Sequence, residues 1–215
     1  RGERLPRAAS GARTSSELTA AAAEVRDKTG AEVLAVPADV TRAEDVKALV
    51  GRARQAFGGI DILVTNAGGP PRGSFDELSD AQWHGAFDLS LLSVVRLVRE
   101  VLPGMRERRW GRIVTIQSVS VKQPIPELVL SNAIRPGVAG LAKSLASELG
   151  MFEHVSFSPT TIESSPQATF SRWSSASFPV LLYRCPPPAL PASCSDGSLR
   201  KPIREASQSF FLPTA

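Results

Sequence analysis

Asn66-Ala67-Gly68 directly follows an apolar run at residues 60–65 that only Asp61 interrupts. A glycine after a buried strand lets the backbone come close to a ligand. In sheets of parallel strands, ligands bind beyond the carboxyl ends of the strands. Asp39-Val40-Thr41 follows an earlier apolar, β-branched run, 32–37, in the same way. Each signal is weak by itself. Asn-Ala-Gly also makes an ordinary turn, and Thr41 also serves a helix start. Metal chemistry finds no support. His84 and His154 are isolated, and the only two cysteines, Cys185 and Cys194, lie in an irregular tail. No set of ligands stands at a useful spacing, and no disulfide framework is indicated.

These turns need strands and helices to hold them. A helix is expected from residues 14–16 to Gly30, and the run 32–37 reads as a strand. Thr41-Arg42-Ala43-Glu44 has the pattern of a capping box opening a helix to Phe57, which Gly58-Gly59 ends. Residues 60–65 form a continuous apolar strand. Ser79-Asp80-Ala81-Gln82 opens a long helix that is expected to stop near Pro103-Gly104. A strand at 112–116 and a helix from 131 to 149, stopped by Gly150, complete the pattern. Strands alternating with long helices imply an α/β fold whose parallel sheet is covered on both faces.

The chain has 215 residues, 42% hydrophobic and 21% charged, which suits one globular α/β domain. A net charge of +4 is mild. Arg106, Arg108, Arg109 and Arg112 are the densest basic group, and they read as a solvated helix end rather than a nucleic-acid patch. No apolar run reaches the roughly 18 residues of a membrane span, and the start carries no apolar signal core. A cytoplasmic location is the expectation, without nucleic acid or membrane as partners. Three parts are expected: 1–11 without a period, 12–150 as the domain, and 151–215 as a tail rich in Ser and Pro. Cys185-Pro186-Pro187-Pro188 cannot continue a helix or a central strand.

Taken together, Asp39-Val40, Leu63-Val64-Thr65-Asn66-Ala67-Gly68, the helix over 83–101, Gly111-Arg112-Ile113-Val114, Ser118 and the run from Gly137 to Ala146 resemble the short-chain dehydrogenase/reductase family. The likeness is nearest to the 3-oxoacyl-carrier-protein reductase type. It implies a Rossmann-like doubly wound sheet and an oxidoreductase that moves hydride between carbonyl and alcohol with NADP or NAD. It also implies a small-molecule substrate and, for an intact member, a homodimer or homotetramer. By resemblance Asp39 bonds the adenine, Val40 packs beside it, and Asn66, Ala67 and Gly68 shape the floor near the adenosine ribose. Arg13 stands where a guanidinium can pair with a 2′-phosphate, which favours NADP; plain surface exposure is the alternative.

The family's chemistry uses a Tyr as proton donor, a Lys four residues on, a Ser and a helix Asn. Ser118 matches the Ser. Ser131 stands in the Tyr position, Arg135 in the Lys position and Ser90 in the Asn position. An alkyl hydroxyl is far less acidic than a phenol, and arginine does not release its proton. Divergent members carry Ser-Asn-x-x-Arg here, so the change is either a subgroup trait or decay. The only tyrosine, Tyr183, lies in the tail.

The family's first strand and Gly-rich turn have no match in residues 1–11. Without that strand and its neighbour, the strand at 32–37 is expected to face a gap two strands wide. The family's segment after Gly150 is also missing, and the tail is compatible with an out-of-frame reading of it. Three readings follow: an impaired NAD(P)-dependent reductase, a non-catalytic relative that keeps the fold as a binding surface, or a product without function.

Overall fold

Gly30 and Gly58 mark the ends of the first two helices, and each sits in left-handed backbone, at φ 69° and 75°. Their amides donate to the carbonyls of Arg26 and Arg54, closing orphaned ends that a residue with a Cβ closes less well. The computed structural model describes residues 7–149, 155–161 and 180–184, all within the unit Arg1–Cys185. The strands are β1 (Arg7–Ala12), β2 (Glu32–Pro37), β3 (Ile62–Thr65), β4 (Gly111–Gln117), β5 (Val155–Thr161) and β6 (Val180–Arg184). The α-helices are α1 (Ser15–Thr29), α2 (Ala43–Phe57), α3 (Asp80–Phe87), α4 (Ser93–Glu107) and α5 (Val129–Leu149). A π-turn, Asp88–Leu92, joins α3 to α4.

The six strands form one sheet in the order β2-β1-β6-β3-β4-β5. The pairs β1–β2, β3–β4 and β4–β5 are parallel, while β6 runs antiparallel to both β1 and β3. On one face α2, α4 and α5 bury a single cluster that includes Val46, Leu49, Leu97, Val101 and Met105 with Leu63, Ile113 and Leu182 of the sheet. Each such side chain contributes about 1.5–3 kcal/mol when fully buried. The alternate positions of β1, Ala8, Ser10 and Ala12, are buried on the opposite side, where α1 contacts β1 and β2.

Several expectations are corrected. Residues 7–12 are a strand, so β2 does not face a gap; β1 pairs with it in register from Arg7↔Glu32 to Ala12↔Pro37. The slot between β1 and β3 is filled by β6, a stretch of the tail, which removes two unpaired strand edges. β5, also beyond residue 150, adds a strand beside β4. The long helix does not stop at Pro103. It runs to Glu107, because Met105 is fully buried and anchors the last turn, while Pro103 costs one hydrogen bond on the exposed side. The expected box at Thr41 is absent: Arg42 occupies the cap position, and the Thr41 hydroxyl donates to Asp39 Oδ1 instead. The box at Ser79 and Gln82 forms as expected. Arg108 is no solvated helix end, for its guanidinium donates to the Ile60 carbonyl and lies 3.4 Å from Asp61.

Candidate active site

β1, β2 and β3 run the same way, so their carboxyl ends open on one edge of the sheet. A shallow cleft there is lined by Gly11, Ala12 and Arg13 after β1, Ala38 and Val40 after β2, and Asn66, Ala67 and Gly68 after β3. Arg13, Val40, Asn66, Ala67 and Gly68 were all singled out from sequence, and the fold brings them together. Gly11 is required by packing, since a Cβ there stands 2.5 Å from Leu49 Cδ2.

Asp39 stands between Ala38 and Val40, which line this cleft, and is not itself part of the lining. Its Oδ1 accepts from the Thr41 amide at 2.9 Å and the Thr41 hydroxyl at 2.7 Å. Burial pushes the carboxyl pKa up, but these bonds and the charges of Arg13 and Arg42 outweigh it and hold the group below the usual carboxylate value. Asp39 therefore stays ionised and faces the exposed Arg13 guanidinium.

A second group of polar residues lies beside the cleft. Ser118 follows β4 and caps a short 3₁₀ turn, its Oγ accepting from the Ser120 amide at 3.2 Å. An accepting hydroxyl keeps its own proton for another partner. Ser120 Oγ lies 3.0 Å from Ser131 Oγ, and both are buried. Arg135 stands one helical turn beyond Ser131 on the same face of α5. Its Nη2 donates to the Ala67 and Gly68 carbonyls, each at 3.3 Å, so it braces the floor of the cleft. Asn132 ties α5 to the preceding loop, donating to the Ile125 carbonyl at 2.8 Å and accepting from its amide at 3.1 Å. Burial lowers the Arg135 pKa, yet a guanidinium remains charged in a protein.

Ser90 lies in the π-turn, where one extra residue per turn redirects side chains. The turn is held by Ser93 Oγ, which donates to the Leu89 carbonyl at 2.5 Å, and by Arg96, 3.3 Å from Asp88. Ser90 is buried and, with Thr65, Gln117 and Arg135, lines a small cavity under the site. Ser118, Ser131, Arg135 and Ser90 are thus gathered where β3, β4, α5 and the π-turn meet.

Sequence reasoning named Thr65 only as part of the family motif, and missed Ser120 and Gln117. The signal for the last was present, because Gln117 and Thr115 share a face of β4 with the core residue Ile113. Tyr183 cannot take over as proton donor. It pairs with Ala8 and Ile62, at the amino ends of β1 and β3, roughly 13 Å along the strand from Asn66. His84 is exposed, and His154, Cys185 and Cys194 fall outside the described residues. Among the described residues no group could hold a metal ion, and no helix is long and apolar enough to cross a membrane.

The family model for short chain dehydrogenases matches residues 7–173. Nodulation protein G of Rhizobium sp. (strain N33) is 38% identical over 133 residues, 62% of this chain and 53% of that protein. L-Sorbose reductase from Gluconobacter frateurii, solved with NADPH and L-sorbose, superposes with a TM-score of 0.66 at 34% identity, over 69% of this chain and 56% of the other. An NADPH-bound short chain oxidoreductase from Pseudomonas aeruginosa PAO1, described as containing an atypical catalytic center, gives 0.69 at 32% identity, over 76% of this chain and 64% of the other. The chain spans about half the length of the curated relatives it matches. On the match over residues 7–173 and the sheet-edge cleft those residues build, the chain belongs to the short-chain dehydrogenase family.

Proposed function

We propose that the chain is an NADP(H)-linked oxidoreductase acting on a small carbonyl or alcohol compound, with weak turnover. The observation that carries this reading is the gathering of Arg13, Val40, Asn66, Ala67 and Gly68 at one edge of the sheet, with Arg135 bonded to the carbonyls of Ala67 and Gly68. The solved relatives with NADPH bound support the choice of cofactor.

The fit to the dinucleotide is uneven. The cleft suits the adenosine end: Val40 offers an apolar wall, and Arg13 supplies a cation for a 2′-phosphate. The diphosphate finds no matching cradle among the described residues. The strand between β1 and β3 is β6, which begins rather than ends at this edge, as Gly11↔Val180 shows. No described turn leads from it into a helix N-terminus, the arrangement that gathers amides around phosphate.

The protein groups can still act on an oxygen of the substrate. Ser118 donates its hydroxyl proton to that oxygen, since its lone pair already accepts from the Ser120 amide. Ser131 shares its hydrogen bond with Ser120 and is too weak an acid to match a phenol. Arg135 supplies charge without supplying a proton. Together these account for weak turnover.

The test is loss of NADPH fluorescence with a panel of carbonyl compounds. Slow consumption that Ser118→Ala removes is expected. Consumption unchanged by Ser118→Ala contradicts the assigned role. The second reading, a non-catalytic binding protein, is favoured by Ser131, Arg135 and Ser90 standing for Tyr, Lys and Asn. A stable dimer by light scattering, with no nucleotide bound, supports that reading instead.

A further inference from the structure

Val40 and Leu89 both line the sheet-edge cleft, yet they ride on different elements. Val40 belongs to the loop between β2 and α2, and Leu89 to the π-turn that also carries Ser90. A side chain of α4 reaches both. Arg96 Nη1 donates to the Thr41 carbonyl at 2.5 Å, and its Nη2 lies 3.3 Å from Asp88 Oδ1. Thr41 directly follows Val40, and Asp88 directly precedes Leu89. Arg96 stands beside, not within, the buried stripe of α4 formed by Val94, Leu97, Val98 and Val101. Its side chain is nevertheless only 21% exposed.

The two parts that Arg96 joins are each held from within. Asp39 Oδ1 accepts from the Thr41 amide and hydroxyl, the Asp39 amide donates to Asp45 Oδ2, and the Arg42 amide donates to the Asp39 carbonyl. The loop over 39–42 therefore moves as a unit, with the Thr41 carbonyl as its handle. In the π-turn, Ser93 Oγ donates to the Leu89 carbonyl at 2.5 Å. As an ion pair Arg96 and Asp88 contribute little stability, because the Asp88 side chain is 42% exposed. What the guanidinium supplies is geometry. Its nitrogens lie in one rigid plane at fixed spacing, which the single ammonium of a lysine does not reproduce. We propose that Arg96 is a positioning residue that couples the adenosine end of the cleft to the π-turn. It holds Val40 and Leu89 at one spacing, and a nucleotide seated between the two parts steadies Ser90 through it. The proposal rests on the NADP(H) reading above.

The experiment follows amide hydrogen exchange of the full chain with and without adenosine 2′,5′-bisphosphate. Exchange reports the local opening of each segment separately. In the unsubstituted chain the nucleotide should slow exchange over 38–42 and over 88–93. Arg96→Lys keeps the charge and most of the stem but cannot bond both partners at once. In that variant the nucleotide should slow exchange over 38–42 alone, and bind about fivefold more weakly. Asp88→Ala cuts the same link from the other end and should give the same pattern. Slowing over 88–93 that both variants retain overturns the proposal. So does faster exchange spread over the whole chain in Arg96→Lys, the mark of a merely structural role. No binding by the unsubstituted chain takes down the NADP(H) reading by itself. The link is then read without ligand, where Arg96→Lys should speed exchange over 38–42 and 88–93 together. Faster exchange over only one of them overturns it.

Discussion

Asp61 Oδ1 lies 2.8 Å from Arg184 Nη1, joining the residue before β3 to the last residue of β6, and Arg108 Nε approaches the same oxygen at 3.4 Å. The Asp61 side chain is 5% exposed. Its amide also donates to the Tyr183 carbonyl at 2.8 Å. A buried carboxylate between two guanidinium groups therefore fastens a strand of the tail into the middle of the sheet.

Removing that carboxylate leaves two partly buried cations facing one another. Asp61→Ala should cost about 3 kcal/mol, the scale for breaking a buried pair from one side. Arg184→Ala should cost about 1 kcal/mol, because Arg108 remains and Arg184 is partly exposed. Urea unfolding of the two variants measures both. A larger loss for Arg184→Ala than for Asp61→Ala contradicts this ordering.

Tyr183 gives β6 an alkaline weakness. Burial raises its phenol pKa above the ordinary 10.0. A group whose folded pKa is raised stabilises the fold fully below its unfolded pKa, and loses that contribution as pH climbs through the folded value. Stability should therefore fall as pH rises above about 10, as the unfolded chain gives up a proton that the folded chain keeps. Tyr183→Phe should flatten that part of the curve, as read by melting temperature against pH. An unchanged slope contradicts the assignment.

Gly11 and Leu49 test the cleft floor. A Cβ at Gly11 meets the end of a fully buried leucine. Gly11→Ala should cost about 2 kcal/mol through overpacking. Leu49→Ala alone should cost about 3 kcal/mol through the cavity it leaves. The double variant should cost less than their sum, since each change relieves the other. Additive losses contradict the contact.

Arg13 decides between nucleotides with and without a 2′-phosphate. Arg13→Ala should weaken binding of adenosine 2′,5′-bisphosphate about tenfold, the loss of one charge-assisted bond, and leave AMP binding nearly unchanged. Calorimetry on both ligands separates this from general damage. Equal losses for both contradict a 2′-phosphate role and favour plain exposure.

The motif residues were legible because they ride on strongly patterned elements. Residues 60–65 form a continuous apolar run and the apolar face of α2 carries a clear period, so Asn66, Ala67, Gly68 and Val40 fell where parallel strands end. β1 was not legible. Arg7-Ala8-Ala9-Ser10-Gly11-Ala12 has no β-branched or aromatic residue, and its small side chains follow from close helix approach, as Gly11 and Leu49 show. β6 was hidden for another reason. Val180-Leu181-Leu182-Tyr183-Arg184 reads as a strand only once its neighbours on both sides are known, and the Pro-rich surroundings argued against it. Ser120 escaped because its partner Ser131 meets it through space, from a different element.

The central claim is that this edge of the sheet holds the adenosine end of a 2′-phosphorylated dinucleotide and gives the diphosphate little. The direct test is calorimetric titration of the full chain with NADPH and, separately, with adenosine 2′,5′-bisphosphate. Similar affinity for the two is predicted, each lowered by Arg13→Ala. NADPH binding a hundredfold or more tighter, by roughly 2.7 kcal/mol, contradicts the account, because it requires a phosphate cradle that the described residues do not provide.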